Sequence, residues 1–261
     1  MSQVAILSDV HGNLPALKAV LWEVATSGAE MIVFGGDLVG YGASPGECVE
    51  LVRKLGGNCV LGNHDAQSKL VFKLGEEKLP EGWEANAVWS GAVHAVRKME
   101  TEALEWLWDR PWVLSVEGGI VAHASLAAAN DWPYIVNKEV AAPNLDILQE
   151  QDFGVGFFGH THQQDFFFDD ARGAIPERIG VNKIHVPEDA VCLATVGSVG
   201  QPRDLSDLRA SWTLWDPEKR IIEFRQTEYP ALEAAKAILA ANLPPDSAQR
   251  LLSPEEWALL A

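Results

Sequence analysis

Seven side chains that commonly bind metal ions follow the ends of five short apolar segments in this 261-residue chain. They offer carboxylate, imidazole and amide groups and no thiolate, a mixture that favours manganese, iron or zinc over copper(I) or iron–sulfur chemistry. Five of the seven histidines of the chain fall in these segment ends. The sequence therefore predicts a metal site. Its candidate ligands are Asp9, His11, Asp37, Asn63, His123, His160 and His162.

The charges of this set indicate what the site would bind. Two divalent ions would add four positive charges, whereas Asp9 and Asp37 remove two. Since one carboxylate can bridge two ions, Asp37, which lies between the other groups in chain order, suits that position. The site would be cationic within a chain of net charge −17. A local cationic site of this kind is what a phosphate compound needs.

The apolar segments before these residues predict the strands that must position them. Each segment is short and ends where a candidate ligand begins, which is typical of a buried strand followed by a loop. Helices between the first three segments indicate a βαβαβ start and a parallel sheet. The carboxyl ends of parallel strands line one crevice, so distant ligands would meet there. The five segments are 4–7, 31–34, 58–61, 120–122 and 155–158.

Residues 66–112 depart from this alternation and predict a helical, cap-like insert. Helices are expected over about 84–99 and 101–108, with Thr101 as the cap of the second, and the segment carries five of the ten tryptophans. Most of these rings are expected to pack the helices onto the core. One or two would instead form an aromatic wall over the site.

The remaining apolar segments predict a second, antiparallel sheet that packs against the first. A helix near 138–149 precedes the last of the ligand segments, and another is expected from Pro230 to Ala241. No repeat or low-complexity linker interrupts the chain, so we interpret residues 1–261 as a single domain. The segments of the second sheet are 166–168, 190–195, 211–215 and 221–224.

The acidic composition excludes several kinds of partner. A surface of this charge repels nucleic-acid backbones and anionic lipid, so neither long nucleic acid nor a membrane is an expected partner. No apolar run approaches the roughly 20 residues of a membrane span, and the N-terminus has no basic leader. We therefore expect a cytoplasmic protein. The three widely spaced cysteines indicate buried apolar side chains and no disulfide framework.

The order of the motifs DVH, GD, GNHD, H and GHTH resembles the calcineurin-like metallophosphoesterase superfamily over about residues 3–225. Residues 197–204 look like the segment after GHTH in its small bacterial phosphodiesterase branch, which includes diadenosine tetraphosphate hydrolases. The resemblance implies an α/β fold, a two-sheet αββα sandwich. Two departures, Ala124-Ser125 after the fourth motif and Thr195-Val196 before Gly197, are expected to affect substrate fit and not metal binding.

The resemblance also implies a role for each residue. Asp9, His11 and His162 would hold one ion, Asn63, His123 and His160 the other, and Asp37 would bridge them. A hydroxide that bridges the metals would attack phosphorus in line. His64 would donate a proton to the leaving oxygen, and Asp65 would orient the His64 ring.

Substrate contacts and alternatives follow from the same pattern. Asn63, besides its place among the metal ligands, is a candidate substrate contact. Arg203 is the candidate to clamp a phosphate, with a surface ion pair as its alternative, and Asn86 would face the site if the insert folds over it. The expected substrate is a small phosphodiester or a nucleotide. A phosphomonoesterase or protein phosphatase is the nearest alternative, and a non-catalytic metal-binding scaffold is a more distant one.

Overall fold

Two mixed β-sheets and nine α-helices make up the part of the chain that the computed structural model describes, residues 2–169, 175–179, 182–204 and 206–260. The strands are β1 (Gln3–Leu7), β2 (Ala29–Phe34), β3 (Val113–Val116), β4 (Gly119–Ala122), β5 (Val155–Phe158), β6 (Gln164–Phe168), β7 (Glu177–Arg178), β8 (Lys183–His185), β9 (Cys192–Val196), β10 (Ala210–Asp216) and β11 (Ile221–Thr227). The helices are α1 (Leu14–Ser27), α2 (Pro45–Lys54), α3 (Asn63–Leu74), α4 (Ala87–Lys98), α5 (Thr101–Trp108), α6 (Lys138–Glu150), α7 (Ala231–Ala240), α8 (Pro245–Gln249) and α9 (Pro254–Ala258).

The order of the strands differs between the two sheets. In the first it is β2–β1–β10–β11–β8–β7, and in the second it is β3–β4–β5–β9–β6. Each sheet combines parallel and antiparallel pairs: β1 pairs parallel with β2 and antiparallel with β10, and β4 and β5 are parallel. The strands that precede the candidate ligands therefore lie in both sheets.

Side-chain alternation along β1 shows how the layers pack. Val4 and Ile6 point into a buried cluster that includes Phe157 of the second sheet. Ala5 and Leu7 point the other way, into a cluster with α1 and α2. A third cluster lies between the second sheet and α6. Helices thus cover the outer face of each sheet, and the αββα sandwich is confirmed.

Two predictions about the sheets are wrong. Residues 58–61 form one parallel bridge, between Phe34 and Cys59, because the chain turns into α3 at Asn63 before a ladder can extend. The later strands form no sheet of their own: β10 and β11 complete the first sheet, and β6 and β9 the second. An apolar run indicates that a strand is buried, but it does not specify the neighbouring strand.

The helices lie close to their predicted positions. Asn13 caps α1 by accepting a hydrogen bond from the Ala16 N–H, and Gly28 ends this helix with a φ of 91°. The cap position of α5 is Glu100, one residue before the predicted Thr101. Among the described helices, none is both long enough and apolar enough to cross a bilayer. Our interpretation as a single domain with a cap-like insert at 66–112 stays a prediction.

Candidate metal centre

The candidate ligands leave the ends of four strands and the start of one helix. Asp9 and His11 follow β1, Asp37 follows β2, His123 follows β4, His160 and His162 follow β5, and Asn63 begins α3. The aspartates and histidines among them are at most 6% exposed. Since β1 and β2 belong to one sheet and β4 and β5 to the other, the crevice lies where both sheets end and not along the single parallel sheet that we predicted.

Asp9, His11 and His162 form the first half-site. The Nε2 atoms of His11 and His162 are 3.1 Å apart. Asp9 Oδ1 lies 3.3 Å from Nε2 of His162 and 3.7 Å from Nε2 of His11. One ligand atom from each residue falls within 4.8 Å of the others, a spacing that a single ion can join.

Asn63, His123 and His160 form the second half-site, next to Asp37. Asp37 Oδ2 lies 3.3 Å from His123 Nε2, and Asn63 Oδ1 lies 3.0 Å from the same nitrogen. Ligand atoms of Asp37, His123 and His160 are within 4.8 Å of one another. Asp37 Oδ2 is also 3.7 Å from His11 Nε2, so this oxygen lies between the two half-sites.

Backbone carbonyls determine which nitrogen of each candidate histidine faces the centre. His11 Nδ1 lies 3.0 Å from Val39 O, His123 Nδ1 2.7 Å from Gly35 O, His162 Nδ1 2.6 Å from Gln201 O, and His160 Nε2 2.9 Å from Trp132 O. A carbonyl only accepts, so each of these ring nitrogens carries a proton, and the other nitrogen of the ring is the one that can bind an ion. Metal-binding histidines are held by carbonyl partners in this way.

Two contacts in the centre are unfavourable unless a cation lies there. His11 and His162 direct lone pairs at each other across 3.1 Å. Asp37 Oδ2 is buried and has no hydrogen-bond partner within the described chain. An unpartnered buried carboxylate oxygen is costly, whereas coordination would satisfy both contacts. The buried clusters are therefore consistent with a dinuclear metal site.

The electrostatics keep the aspartates ionised. Burial would raise the pKa of Asp37, but the nearby His123 holds it well below its usual value. The pKa of Asp9 is lowered in the same way, against burial and mainly by His162. Burial lowers the pKa of His160 to about 4, which leaves this ring neutral. His123 differs: against burial, Asp37 raises its pKa to about 9, so this ring carries a proton in the free protein that a bound ion would displace.

The backbone at the centre is unusual. Ten described non-glycine residues have positive φ, and five of them are candidate ligands. These are Asp9 (55°), His11 (48°), Asp37 (53°), His160 (67°) and His162 (60°). Such conformations cost free energy and cluster at functional sites. Close packing adds a further constraint, because a Cβ at Gly62 would overlap the side chain and backbone of Asp37.

The two predicted catalytic residues have different surroundings. The His64 ring lies edge-on to His11 with centroids 4.8 Å apart, and its buried Nδ1 has no partner in the described chain. Asp65 accepts hydrogen bonds from the backbone N–H groups of Asp37, Val39 and Gly62, at 2.9, 3.2 and 3.0 Å. Asp65 thus fixes the loop backbone and not the His64 ring, which corrects our prediction.

Asn63, Arg203 and Asn86 were the predicted substrate contacts, and the structure places Asn63 in the second half-site, beside His123. Arg203 donates its backbone N–H to His162 O at 3.3 Å, and its buried side-chain Nε has no hydrogen-bond partner among the described residues. Asn86 is exposed and caps α4 by accepting from the N–H groups of Val88 and Trp89. Capping accounts for its side-chain oxygen, and its substrate role stays a prediction.

Three aromatic residues at the centre were missed in the sequence. The Tyr41 ring lies 4.7 Å from the rings of both His11 and His64. Tyr134 stacks on His160, and Trp132 contacts His123 edge-on. The only signals were the glycines on either side of Tyr41 and the two aromatic residues of the segment Asp131 to Tyr134. Neither signal indicates proximity to a metal site without the fold.

Comparison with known proteins places this geometry in a family. Residues 2–164 match the model of the calcineurin-like phosphoesterases. An uncharacterized protein of Methanocaldococcus jannaschii is 34% identical over 254 residues, which cover 96% of this chain and 97% of that protein. A metallophosphoesterase from Sphaerobacter thermophilus has 32% identity and a TM-score of 0.79, over 95% of this chain and 98% of that one. A hypothetical protein of Pyrococcus horikoshii shares the fold at 19% identity and a TM-score of 0.71, over 96% and 98%. The chain belongs to the calcineurin-like phosphoesterases and is a metallophosphoesterase with a buried histidine and aspartate metal site.

Proposed function

We propose that this protein uses two divalent ions to hydrolyse a small phosphodiester or a nucleotide. The observation that carries the proposal is the position of Asp37 Oδ2, which is buried, unpartnered among the described residues and within 3.7 Å of a histidine from each side. One oxygen in that position can serve two ions. A pair of ions suits the attack on a phosphorus atom and the neutralisation of its oxygens.

The two half-sites divide the ligands of these ions. Asp9, His11 and His162 would hold one ion and Asn63, His123 and His160 the other, with Asp37 shared. When bound, the ions supply Lewis acidity and an activated water. The donor set favours manganese, iron or zinc. The family likeness supports the same division, whereas membership of the small phosphodiesterase and diadenosine tetraphosphate hydrolase branch stays a prediction.

His64 is the residue that we propose as the proton donor to the leaving oxygen. Burial lowers the pKa of this ring to about 3, so it is neutral in the free protein. The anionic phosphate of a substrate next to the ring would favour the imidazolium form, and the unpartnered Nδ1 leaves one nitrogen free.

Arg203 is the residue that we propose to bind the phosphate oxygens. Burial raises the pKa of Tyr41 to about 12, and the positive charge of the nearby Arg203 guanidinium opposes that rise. The alternative, a surface ion pair, has no carboxylate partner among the described residues. A fork of N–H donors next to the first half-site suits two phosphate oxygens.

The proposal is tested by measuring metal content and hydrolysis on the same sample. Manganese-loaded protein is assayed with bis(4-nitrophenyl) phosphate and with 4-nitrophenyl phosphate. We expect two ions per chain and faster cleavage of the diester. His162→Gln should lose an ion and activity, whereas His185→Gln, on β8 outside the centre, should lose neither. Faster cleavage of the monoester would favour a phosphomonoesterase, and two bound ions with no hydrolysis would favour a scaffold.

A further inference from the structure

An exposed tyrosine lies directly on one of the proposed metal ligands. The ring of Tyr134 stacks on His160 with centroids 4.1 Å apart and an interplanar angle of 14°. Tyr134 is nevertheless 47% exposed. One face of the ring is thus occupied by the ligand histidine, while a large part of the residue is accessible to solvent.

Trp132 joins the same region to both histidines of the second half-site. Its carbonyl lies 2.9 Å from His160 Nε2, and its ring lies 5.6 Å from the ring of His123 at an angle of 70°. The residue has a φ of 50°, which is uncommon for a bulky side chain and costs free energy. A strained tryptophan in contact with two proposed ligands points to a functional constraint on this loop.

A second tryptophan extends the aromatic surface outward. Trp112 stacks on Trp132 with centroids 4.8 Å apart and an interplanar angle of 26°, and it is 41% exposed. We call Trp112, Trp132 and Tyr134 the aromatic rim. The rim begins at the ligand histidines and ends in solvent, so that it runs beside the place where an ester phosphate would bind.

The rim differs from the tryptophans that serve the core. Trp212 and Trp215 are fully buried, and their indole N–H groups donate to Thr227 and to the carbonyl of Glu117. Such rings join elements and exclude water. Two of the three rim residues are more than two-fifths exposed, although the rim contacts His123 and His160, which are at most 6% exposed. Packing alone does not explain their exposure there.

We propose that the aromatic rim binds a planar aromatic ring of the substrate, such as a nucleobase, while the phosphate lies at the metal centre. The inference rests on the proposed function and names the substrate class within it. Stacking of a base on an aromatic side chain contributes about 1–3 kcal/mol. The chain carries a net charge of −17 and therefore repels an anionic substrate at long range. Ring stacking would supply short-range affinity that offsets this repulsion.

The test compares ligands that differ in the ring. Adenosine monophosphate, ribose 5-phosphate and phenyl phosphate are titrated by calorimetry into manganese-loaded protein, and each is assayed as an inhibitor of bis(4-nitrophenyl) phosphate hydrolysis. We expect adenosine monophosphate to bind roughly 5- to 150-fold more tightly than ribose 5-phosphate. Tyr134→Leu and Trp112→Leu should each reduce this ratio without changing metal content. Trp22→Leu, which alters a 78% exposed ring on α1, should leave the ratio unchanged.

Equal affinity of the wild-type protein for adenosine monophosphate and ribose 5-phosphate would overturn the inference, as would an unchanged ratio in both rim variants. Tight binding of phenyl phosphate as well would identify any aryl group as the recognised ring, and weak binding would identify a nucleobase. Calorimetry still reports the ratio if no ester is cleaved, so a failure of the proposed function is recognised separately.

Discussion

The two half-sites each have two histidines but differ in their third ligand, Asp9 in the first and Asn63 in the second, and in their surroundings. The first half-site is densely packed: Tyr41 and His64 lie edge-on against His11, and the carbonyl of Gln201 accepts a hydrogen bond from His162. The second half-site opens toward solvent, because Asn63 and Trp132 are only half-buried and Tyr134, which stacks on His160, is exposed. We therefore expect the first half-site to hold its ion rigidly and the second half-site to contact the variable part of the substrate.

The largest expected effect comes from Asp37, the residue that the half-sites share. Asp37→Asn removes the anionic oxygen between them, and we expect the rate to fall by roughly 10³-fold or more, since metal ions supply several kcal/mol of transition-state stabilisation. Metal analysis should show fewer than two ions per chain, whereas the exposed Asp189→Asn should keep both. Two retained ions with full activity would mean that the half-sites are independent.

The next largest effect is expected at His64, which packs against the first half-site. His64→Ala should leave two ions bound but lower the turnover of esters with poor leaving groups by about 10²–10⁴-fold, the usual contribution of a general acid. Cleavage of nitrophenyl esters should fall less, because nitrophenolate leaves without a proton. Rates are compared across leaving groups of graded pKa, with His185→Ala as the control. An equal loss for every leaving group would contradict the proton-donor role.

Each half-site should contribute about half of the increase in the free energy of unfolding that bound metal produces. An ion present at a hundredfold excess over its dissociation constant stabilises a fold by about 2.7 kcal/mol. Thermal unfolding with manganese and with a chelator should therefore show that His160→Gln and His162→Gln each lose about half of the metal-dependent stabilisation. If one variant lost all of the metal-dependent stabilisation, the two ions would bind in a fixed order, and the half-sites would not be independent.

The smallest effect is expected at Asp65, which supports the loops of both sides. Asp65→Asn replaces a carboxylate that accepts three backbone N–H groups with an amide that has a single oxygen, and we expect a loss of roughly 1–3 kcal/mol in the free energy of unfolding. Urea titration measures this loss, with Asp189→Asn as the control. An unchanged midpoint would indicate that the loops hold their shape without the carboxylate.

Much of the centre was predictable because its ligands follow apolar segments. The aspartates and histidines after β1, β2, β4 and β5 are spaced where strands end, and the structure brings them together. The pairing of the strands was not predictable in the same way. β10 lies next to β1 although more than two hundred residues separate them, and nothing in either apolar pattern specifies that partner.

The surroundings of the ligands were also beyond local reasoning. Asp65 follows His64 in the chain, which suggested that the two side chains interact, but the carboxylate instead binds N–H groups of the loop after β2. Tyr134 lies 26 residues before His160 in the sequence, yet the two rings stack. Contacts of this kind depend on how loops fold back, and sequence spacing does not encode them.

The left-handed backbone of the ligands has a consequence for the tolerance of this protein to change. Conformations of this kind cost of the order of 1–3 kcal/mol each, and five ligands adopt them at once. Selection for a sturdier fold alone would favour glycine or asparagine at these positions, whereas selection for the reaction retains aspartate and histidine. In a lineage that no longer needed hydrolysis, these five residues would be expected to be replaced first.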